Sequence, residues 1–296
     1  MTEYSRKLGF PNMKIAVMSD LHLEFETGRT KTPDWPAFVR MRAETPSHPR
    51  IGPMIDNAIG VDLVILAGDT DVGLRGIDYA REISDYLGAP VIYVMGNHEP
   101  YDGTSIERLL SRMRTKTAKT NARVTLLEND SAVFDDIYVL GATLWTDYEA
   151  LGHAHVENVM REAKRTMNDH ALCFLNGTAF APSDARSLHS ATRAWLDREV
   201  ATIRGKTPDA KIVIVTHHAP ILEANPPQYR NSASAPAFVS NMRPEIAKWR
   251  PALWISGHTH HSFDLMHGTT RLLSNQRGYV GQEVGALNFR PIVVEL

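Results

Sequence analysis

Residues that can bind metal ions recur in five short segments of this chain. The segments are Asp20-Leu21-His22, Gly68-Asp69-Thr70-Asp71, Gly96-Asn97-His98-Glu99, Thr216-His217-His218 and Gly257-His258-Thr259-His260. Carboxylate and amide oxygens suit Mn²⁺ and Mg²⁺, whereas imidazole nitrogens also suit Zn²⁺ and iron. The candidate ligands are more numerous than the three or four that a single tetrahedral zinc ion needs. We therefore predict a centre for two divalent ions with a bridging carboxylate, whose candidate ligands are Asp20, His22, Asp69, Asn97, His217, His258 and His260.

Each segment follows a short apolar run that is typical of a buried strand. The runs lie at residues 15–18, 63–67, 91–95, 212–215 and 252–255. A continuous apolar run of this length, bounded by glycine and polar residues, indicates a strand that is covered on both faces. Ligand sites of α/β proteins lie at the carboxyl ends of such strands. We therefore expect the five segments to meet at one edge of the fold.

Helical and strand-like patterns alternate along the rest of the chain. Apolar spacing predicts a helix over 76–87 that ends at Gly88, and further helices over 104–113, 153–170 and 184–203. Hairpin-like strands are predicted at 125–127, 132–134 and 137–140, and C-terminal strands at 253–256, 263–266, 270–274 and 291–296. This alternation predicts two packed sheets with helices outside.

The domain organisation indicated by the sequence is a single domain over residues 1–296. Two segments rich in proline and polar residues, at about 27–53 and 223–240, interrupt the pattern as insertions. Loops of this length with little structure of their own tend to be functional. We expect the two insertions to shape the substrate pocket.

Composition narrows the class of protein. The formal net charge is -2, which provides no bulk basic field for binding nucleic acid. The single cysteine, Cys173, fits a reducing compartment. Residues 1–14 lack the apolar region of a secretory signal, and no apolar run is long enough to cross a membrane. We therefore expect a cytoplasmic protein that makes no contact with membranes.

Taken singly, each motif has an ordinary structural explanation. An aspartate after a strand is more often a turn former or a helix cap than a metal ligand. A histidine or asparagine beside a glycine is commonly a turn residue. Five coincidences in one order are a far weaker explanation than a common metal centre, so the metal centre is favoured.

The five motifs, in this order, resemble those of the calcineurin-like metallophosphoesterases. That family shows D-x-H, G-D-x-x-D, G-N-H-[DE], H and G-H-x-H, and the resemblance spans residues 14 to about 276. It implies an α/β fold, a four-layer αββα sandwich of two mixed β-sheets flanked by helices. The chain departs from the pattern at Val72, where the family usually has an acid, and carries Asp71 instead.

The resemblance also implies a role for each motif residue. Asp69 would bridge two ions, one also bound by Asp20, His22 and His260, the other by Asn97, His217 and His258. Of the adjacent pair His217 and His218, we favour His217, which follows the strand directly. His98 would be a catalytic residue that protonates the leaving oxygen or stabilises charge on the phosphoryl group, and Glu99 or a similar acid would orient it. Arg277 and His261 are candidate substrate contacts, although a salt bridge or a solvent-facing position explains them equally well.

The predicted function is hydrolysis of a phosphomonoester or phosphodiester by a hydroxide that two metal ions activate. The ions would be Mn, Fe, Zn or Mg, with Mn favoured. A metal-dependent nuclease and a non-catalytic binding scaffold of the same fold are the alternatives. The expected partner is a small phosphorylated substrate or phosphodiester, and the sequence does not indicate an oligomeric state.

Overall fold

The computed structural model describes residues 5–6, 12–25 and 52–296. Most of the predicted insertion at 27–53 lies outside these residues. The predicted insertion at 223–240 is described, and it contains three short 3₁₀ helices: Leu222–Ala224, Pro227–Tyr229 and Ala235–Ala237.

Strands account for most of the core. In chain order the described strands are β1 (Ser5–Arg6), β2 (Lys14–Met18), β3 (Leu63–Ala67), β4 (Val91–Val94), β5 (Val124–Leu127), β6 (Asp130–Phe134), β7 (Ile137–Ala142), β8 (Phe174–Leu175), β9 (Thr178–Ala179), β10 (Lys211–Thr216), β11 (Leu253–Ile255), β12 (Phe263–His267), β13 (Thr270–Ser274) and β14 (Ile292–Glu295).

Helices cover the outer faces of the sheets. The described α-helices are α1 (Gly52–Ile55), α2 (Arg75–Leu87), α3 (Ile106–Thr117), α4 (Val156–Thr166), α5 (Asp169–Leu172), α6 (Pro182–Lys206) and α7 (Arg243–Trp249). Helix α2 ends as the sequence predicts, because Gly88 adopts a left-handed φ of 70° that stops the helix.

The strands form two mixed sheets. The order in the larger sheet is β1-β6-β7-β10-β11-β13-β12, and the order in the smaller sheet is β14-β2-β3-β4-β5. Strands β2 to β5 run parallel, and β14 pairs antiparallel with β2. In the larger sheet, β7, β10, β11 and β13 run parallel. Within each sheet, the carboxyl ends of the parallel strands therefore lie at the same edge.

The apolar strands are buried on both faces because each face packs against a different layer. In β3, Leu63 and Ile65 face the second sheet, while Val64 and Leu66 face the layer that contains α2 and α3. In β10, which belongs to the larger sheet, alternate side chains face the smaller sheet and the layer that contains α6 and α7. Continuous apolar runs result because neither face of the strand meets solvent. The predicted αββα sandwich is confirmed.

One predicted pairing is wrong. The sequence pattern placed residues 125–127 in a hairpin-like unit with the two strands that follow. In the structure β5 instead pairs parallel with β4 in the smaller sheet, and only β6 and β7 form the antiparallel hairpin of the larger sheet. A short apolar run predicts a strand but not its partner. Here the partner β4 is separated from β5 by a helix, so the local pattern did not indicate the pairing.

The described part of the chain contains no helix that is long and apolar enough to cross a membrane.

The packing between the sheets leads to a stability prediction. Ile65 is fully buried in the inter-sheet core, so Ile65→Ala is expected to lower the free energy of unfolding by about 2–5 kcal/mol. Ile59, 67% exposed, is the matched control, and Ile59→Ala is expected to change it by less than about 0.5 kcal/mol. Urea denaturation of both variants measures the difference, and equal effects would contradict the packing described here.

Candidate metal centre

The five motif segments meet at one edge of the sandwich, where strands of both sheets have their carboxyl ends. Backbone hydrogen bonds tie the segments together: Asp20 N–H donates to Gly68 O (3.1 Å), and His22 N–H donates to Asp69 O (3.0 Å). Gly257 N–H donates to His217 O (2.9 Å) in the larger sheet. The strand ends therefore present their side chains to one shared space.

Five of the seven predicted ligands adopt a left-handed backbone. Their φ values are 51° for Asp20, 45° for His22, 52° for Asp69, 73° for His258 and 50° for His260. A positive φ is uncommon for residues other than glycine and costs free energy. The backbone therefore turns sharply after β2, β3 and β11, where these five ligands lie.

Glycines beside the ligands allow the segments to approach closely. A Cβ on Gly96 would lie 2.1 Å from Asp69 Oδ1, and a Cβ on Gly257 would lie 2.5 Å from Asp20 Oδ2. A Cβ on Gly68 would lie 2.4 Å from His217 Nδ1. No side chain fits at these three positions, so the glycines of the motifs set the width of the site.

Asp20, His22 and His260 form the first cluster of potential metal ligands. The Nε2 atoms of the two histidines are 2.9 Å apart, and Asp20 Oδ1 lies 3.6 Å from His260 Nε2. The outer nitrogens of both rings are already bonded, because His22 Nδ1 contacts Glu24 (2.9 Å) and His260 Nδ1 contacts Glu283 (2.5 Å).

These contacts determine where the ring protons lie. Each carboxylate accepts a hydrogen bond, so the Nδ1 atoms of His22 and His260 carry the protons. In neutral rings both Nε2 atoms would then present lone pairs to one another. That arrangement requires either an extra proton or a cation between the nitrogens.

The second cluster contains Asp69, His217 and His258, with the amide oxygen of Asn97 at its centre. Asn97 Oδ1 lies 2.9 Å from both His217 Nε2 and His258 Nδ1. Asp69 Oδ2 lies 3.3 Å from His217 Nε2. His217 Nδ1 donates to Ala67 O (2.9 Å), so the lone pair of a neutral ring would face two oxygen acceptors.

The charges of the site respond to this crowding. Burial opposes ionisation of Asp69, but the facing histidines, His217 foremost, hold its pKa well below its usual value. Burial also disfavours the imidazolium of His217, yet Asp69 outweighs it and raises the His217 pKa to about 10. The carboxylate of Asp69 thus stabilises positive charge on the facing ring of His217.

The donor set fits divalent metal ions. Two carboxylates, one amide oxygen and four imidazoles converge, and each is buried or nearly so. Mixed oxygen and nitrogen ligands suit Mn, Fe and Zn. His258 Nε2 is buried and has no hydrogen-bond partner among the described residues. A cation in each cluster would bind the nitrogen and oxygen atoms that face one another there.

His98 lies beside both clusters and is itself held in place. Its backbone N–H donates to Asp69 Oδ1 (2.9 Å), and its Nδ1 contacts Glu24 Oε1 (3.0 Å). Its Nε2 faces the hydroxyl of Tyr279 at 3.4 Å. Burial lowers the His98 pKa, but the carboxylates of Asp69 and Glu24 outweigh it and raise the pKa to about 9.

Glu99 hydrogen-bonds to the loops of the site, and orientation of His98 by Glu99 stays a prediction. Its carboxylate accepts hydrogen bonds from the N–H groups of Asp69, Thr70 and Gly96 and from the Tyr93 hydroxyl. Glu99 therefore organises the loops that carry Asp69 and Asn97. Its side chain points towards β3 and β4, and Glu24 occupies the position beside His98.

The structure also locates the remaining predicted site residues. The ring of His218 lies against that of His258, with centroids 4.1 Å apart, and its Nδ1 lies 3.3 Å from Thr143 O. The guanidinium of Arg277 donates to the carbonyls of Leu21 and Ala286. His261 is half-buried, and its carbonyl accepts a hydrogen bond from Gln276. Substrate contact by Arg277 or His261 stays a prediction.

Four residues at the site were not predicted from the sequence: Glu24, Asp169, Tyr279 and Glu283. Asp169 Oδ1 accepts hydrogen bonds from Asn97 Nδ2 (2.8 Å) and from the Tyr101 hydroxyl (2.5 Å). The amide oxygen of Asn97 is thereby turned towards the histidines. Only Glu24 had a local signal, because it lies two residues after His22 in the first motif.

A cavity of about 190 Å³ opens onto both clusters. It is lined by Asp69, Asn97, His98, Tyr101, Thr166, Met167, Asn168, Asp169, Phe238, His258, His260 and Tyr279. Helices α4 and α5 and the segment around Phe238 thus form the walls, while the predicted ligands form the floor.

The chain belongs to the calcineurin-like phosphoesterase family. The family model matches residues 13–262, which contain all five motifs. Members of this family are generally phosphoester hydrolases that use divalent metal ions. The clusters described above are candidate sites for such ions.

Two relatives illustrate the range of similarity. Uncharacterized protein L509 of Acanthamoeba polyphaga mimivirus is 25% identical over 206 residues, which cover 64% of this chain and 68% of L509. The crystal structure of Phosphopantetheinyl Hydrolase (PptH) from Mycobacterium tuberculosis superposes with a TM-score of 0.62 at 17% identity. The superposition covers 95% of this chain and 96% of that protein, and it shows a shared fold.

The contact of Asp169 with Asn97 leads to a prediction about metal binding. Asp169→Ala removes the acceptor that holds the Asn97 amide, so affinity for Mn²⁺ is expected to fall by about 10–100-fold. Isothermal titration calorimetry measures this affinity. Asp209→Ala, at an exposed position, serves as the control and is expected to bind as the wild type does. Equal affinities in the two variants would show that Asp169 does not position the amide.

Proposed function

We propose that this chain is a binuclear-metal phosphoesterase that hydrolyses a small phosphomonoester or phosphodiester. In this proposal Asp69 bridges the two ions. The other ligands are Asp20, His22 and His260 for the first ion and Asn97, His217 and His258 for the second.

The observation that carries the proposal is the convergence of buried ligand atoms in both clusters, where ring nitrogens and oxygens face one another while the outer ring nitrogens are already bonded. Glu24 and Glu283 take the outer protons of His22 and His260, whose Nε2 atoms then face one another at 2.9 Å. In the second cluster, Ala67 O takes the outer proton of His217. An ordinary structural histidine pairs its ring nitrogens with complementary groups, whereas a pair of ligands shares a cation.

Two bound divalent ions would lower the pKa of water, to supply a nucleophile at neutral pH, and would neutralise charge on the phosphoryl oxygens. The residues of the chain contribute position and protons. Asp169 fixes the Asn97 amide, and Glu283 fixes the ring of His260. Mn²⁺ is the favoured ion, because the mixed oxygen and nitrogen donors suit it.

His98 is the proposed proton donor. Its Nε2 points into the cavity beside the Tyr279 hydroxyl. A proton at that position can pass to the oxygen that leaves phosphorus. Tyr279 lies with its ring 4.5 Å from those of His22 and His260, so it covers the first cluster.

Two other functions have less support. A nuclease would need to hold an extended anionic backbone, and the net charge of -2 provides no general attraction for one. A non-catalytic scaffold would not need His98 to be held at the cavity, or every candidate ligand to be retained.

Metal removal is the first test of this function. Chelator-treated protein is expected to be inactive on p-nitrophenyl phosphate and bis(p-nitrophenyl) phosphate, and Mn²⁺ is expected to restore turnover of at least one. Release of nitrophenolate, followed by absorbance, measures both rates. Equal activity before and after chelation would contradict a metal-dependent reaction, and no activity with Mn²⁺ bound would favour the scaffold.

Replacement of Asp69 separates metal binding from proton donation. Asp69→Asn is expected to abolish turnover and reduce bound Mn²⁺, because the bridging carboxylate is lost. His98→Ala is expected to lower kcat by about 10²–10⁴-fold while the Mn²⁺ content stays unchanged. Metal analysis of both proteins after gel filtration distinguishes the roles. Loss of metal from His98→Ala would contradict the role assigned to His98.

A further inference from the structure

We infer that Glu24 is a positioning residue that holds the proposed proton donor His98 and the proposed metal ligand His22 with one carboxylate oxygen. The inference rests on the proposed function. It extends that function by naming the group that aims His98, a role that the sequence had given to Glu99.

The contacts of Glu24 are short and wholly buried. Its Oε1 atom lies 2.9 Å from His22 Nδ1 and 3.0 Å from His98 Nδ1. The side chains of Glu24 and His22 are inaccessible to solvent, and His98 is only 4% exposed. An ionised acceptor makes hydrogen bonds that are roughly twice as strong as neutral ones.

The shared oxygen determines the direction of both rings. With Nδ1–H donated to Glu24, His22 presents its Nε2 to His260 and Asp20 in the first cluster. His98 presents its Nε2 to the cavity, 3.4 Å from the Tyr279 hydroxyl. The planes of the two rings are inclined at 69°, and their centroids are 4.5 Å apart. Glu24 therefore orients the Nε2 atoms of His22 and His98 towards neighbouring positions in the site.

The two oxygens of the Glu24 carboxylate differ in their contacts. Its second oxygen, Oε2, is buried and has no hydrogen-bond partner among the described residues. Both hydrogen bonds to the histidines therefore fall on Oε1, and this geometry is what a replacement would disturb.

The step that depends on this geometry is a balanced hydrolysis. A bond forms between a water oxygen and phosphorus, and the bond between phosphorus and the leaving oxygen breaks. The leaving oxygen keeps the electron pair and takes the proton from His98 Nε2. The water releases a proton to solvent, and His98 regains one from solvent.

Proton donation matters most when the leaving oxygen is basic. Phenolate is more basic than p-nitrophenolate, so it needs the proton more. A misdirected His98 should therefore slow a phenyl ester more than a p-nitrophenyl ester, whereas weaker metal binding should slow both alike. The ratio of kcat for the phenyl ester to kcat for the p-nitrophenyl ester therefore reports whether His98 is correctly oriented, and a misdirected His98 lowers this ratio.

The test compares Glu24→Gln with Glu283→Gln at saturating Mn²⁺. Glutamine keeps the size of the side chain and removes the charge in both variants. Glu283 holds His260, so it is the matched control for a carboxylate that orients a metal ligand. The substrates are phenyl and p-nitrophenyl phosphates and their methyl diesters, and the Mn²⁺ content is measured in parallel.

Glu24→Gln is expected to lower kcat for the phenyl ester by about 10²-fold and for the p-nitrophenyl ester by less than about 10-fold. KM is expected to change little. Glu283→Gln is expected to lower both rates by the same factor. His98→Ala should lower the ratio as well, and adding Glu24→Gln to it should lower the ratio no further, because the two residues act as one unit.

Each outcome decides one claim. An unchanged ratio in Glu24→Gln, beside a lowered ratio in His98→Ala, overturns the role of Glu24 and leaves the proposed function intact. Failure of the Mn²⁺-loaded wild type to hydrolyse any of the esters instead overturns the proposed function. If Glu24→Gln lacks a cooperative thermal transition, Glu24→Asp takes its place. Its shorter carboxylate should also lower the ratio, and an unchanged ratio there overturns the inference.

Discussion

Ring nitrogens that face one another across a buried space are the constraint on which the rest of this structure depends. His22 Nε2 and His260 Nε2 lie 2.9 Å apart, with their outer nitrogens already bound to carboxylates. The left-handed backbones, the glycines without room for a Cβ and the buried acids all maintain this arrangement. Such local costs persist only where the surrounding fold determines the geometry.

The layered sandwich meets this requirement. Parallel strands of two sheets end at one edge, and each strand is buried on both faces by a different layer. The strands cannot slide without exposing apolar side chains, so the ends of β2, β3, β10 and β11 are held in register. Three acidic residues then orient the side chains of the site. Glu24 contacts His22 and His98. Glu283 contacts His260, and Asp169 accepts a hydrogen bond from Asn97.

The features that local patterns predicted are those determined within a few residues. The strand ends, the two-sheet sandwich and the gathering of the motif residues all follow from apolar runs that stop at polar residues. The partners of these ligands were not predictable in this way. Asp169 lies 72 residues from Asn97, and Glu24 lies 74 residues from His98. Their contacts depend on tertiary packing, as does the pairing of β5 with β4.

The central claim is that two ions bind at neighbouring positions that share Asp69. Electron paramagnetic resonance of the Mn²⁺-loaded protein tests this claim most directly, because neighbouring Mn²⁺ ions are magnetically coupled. We expect two Mn²⁺ per chain and the multiline spectrum of a coupled pair. One Mn²⁺ per chain, or two with the spectrum of isolated ions, would contradict the account.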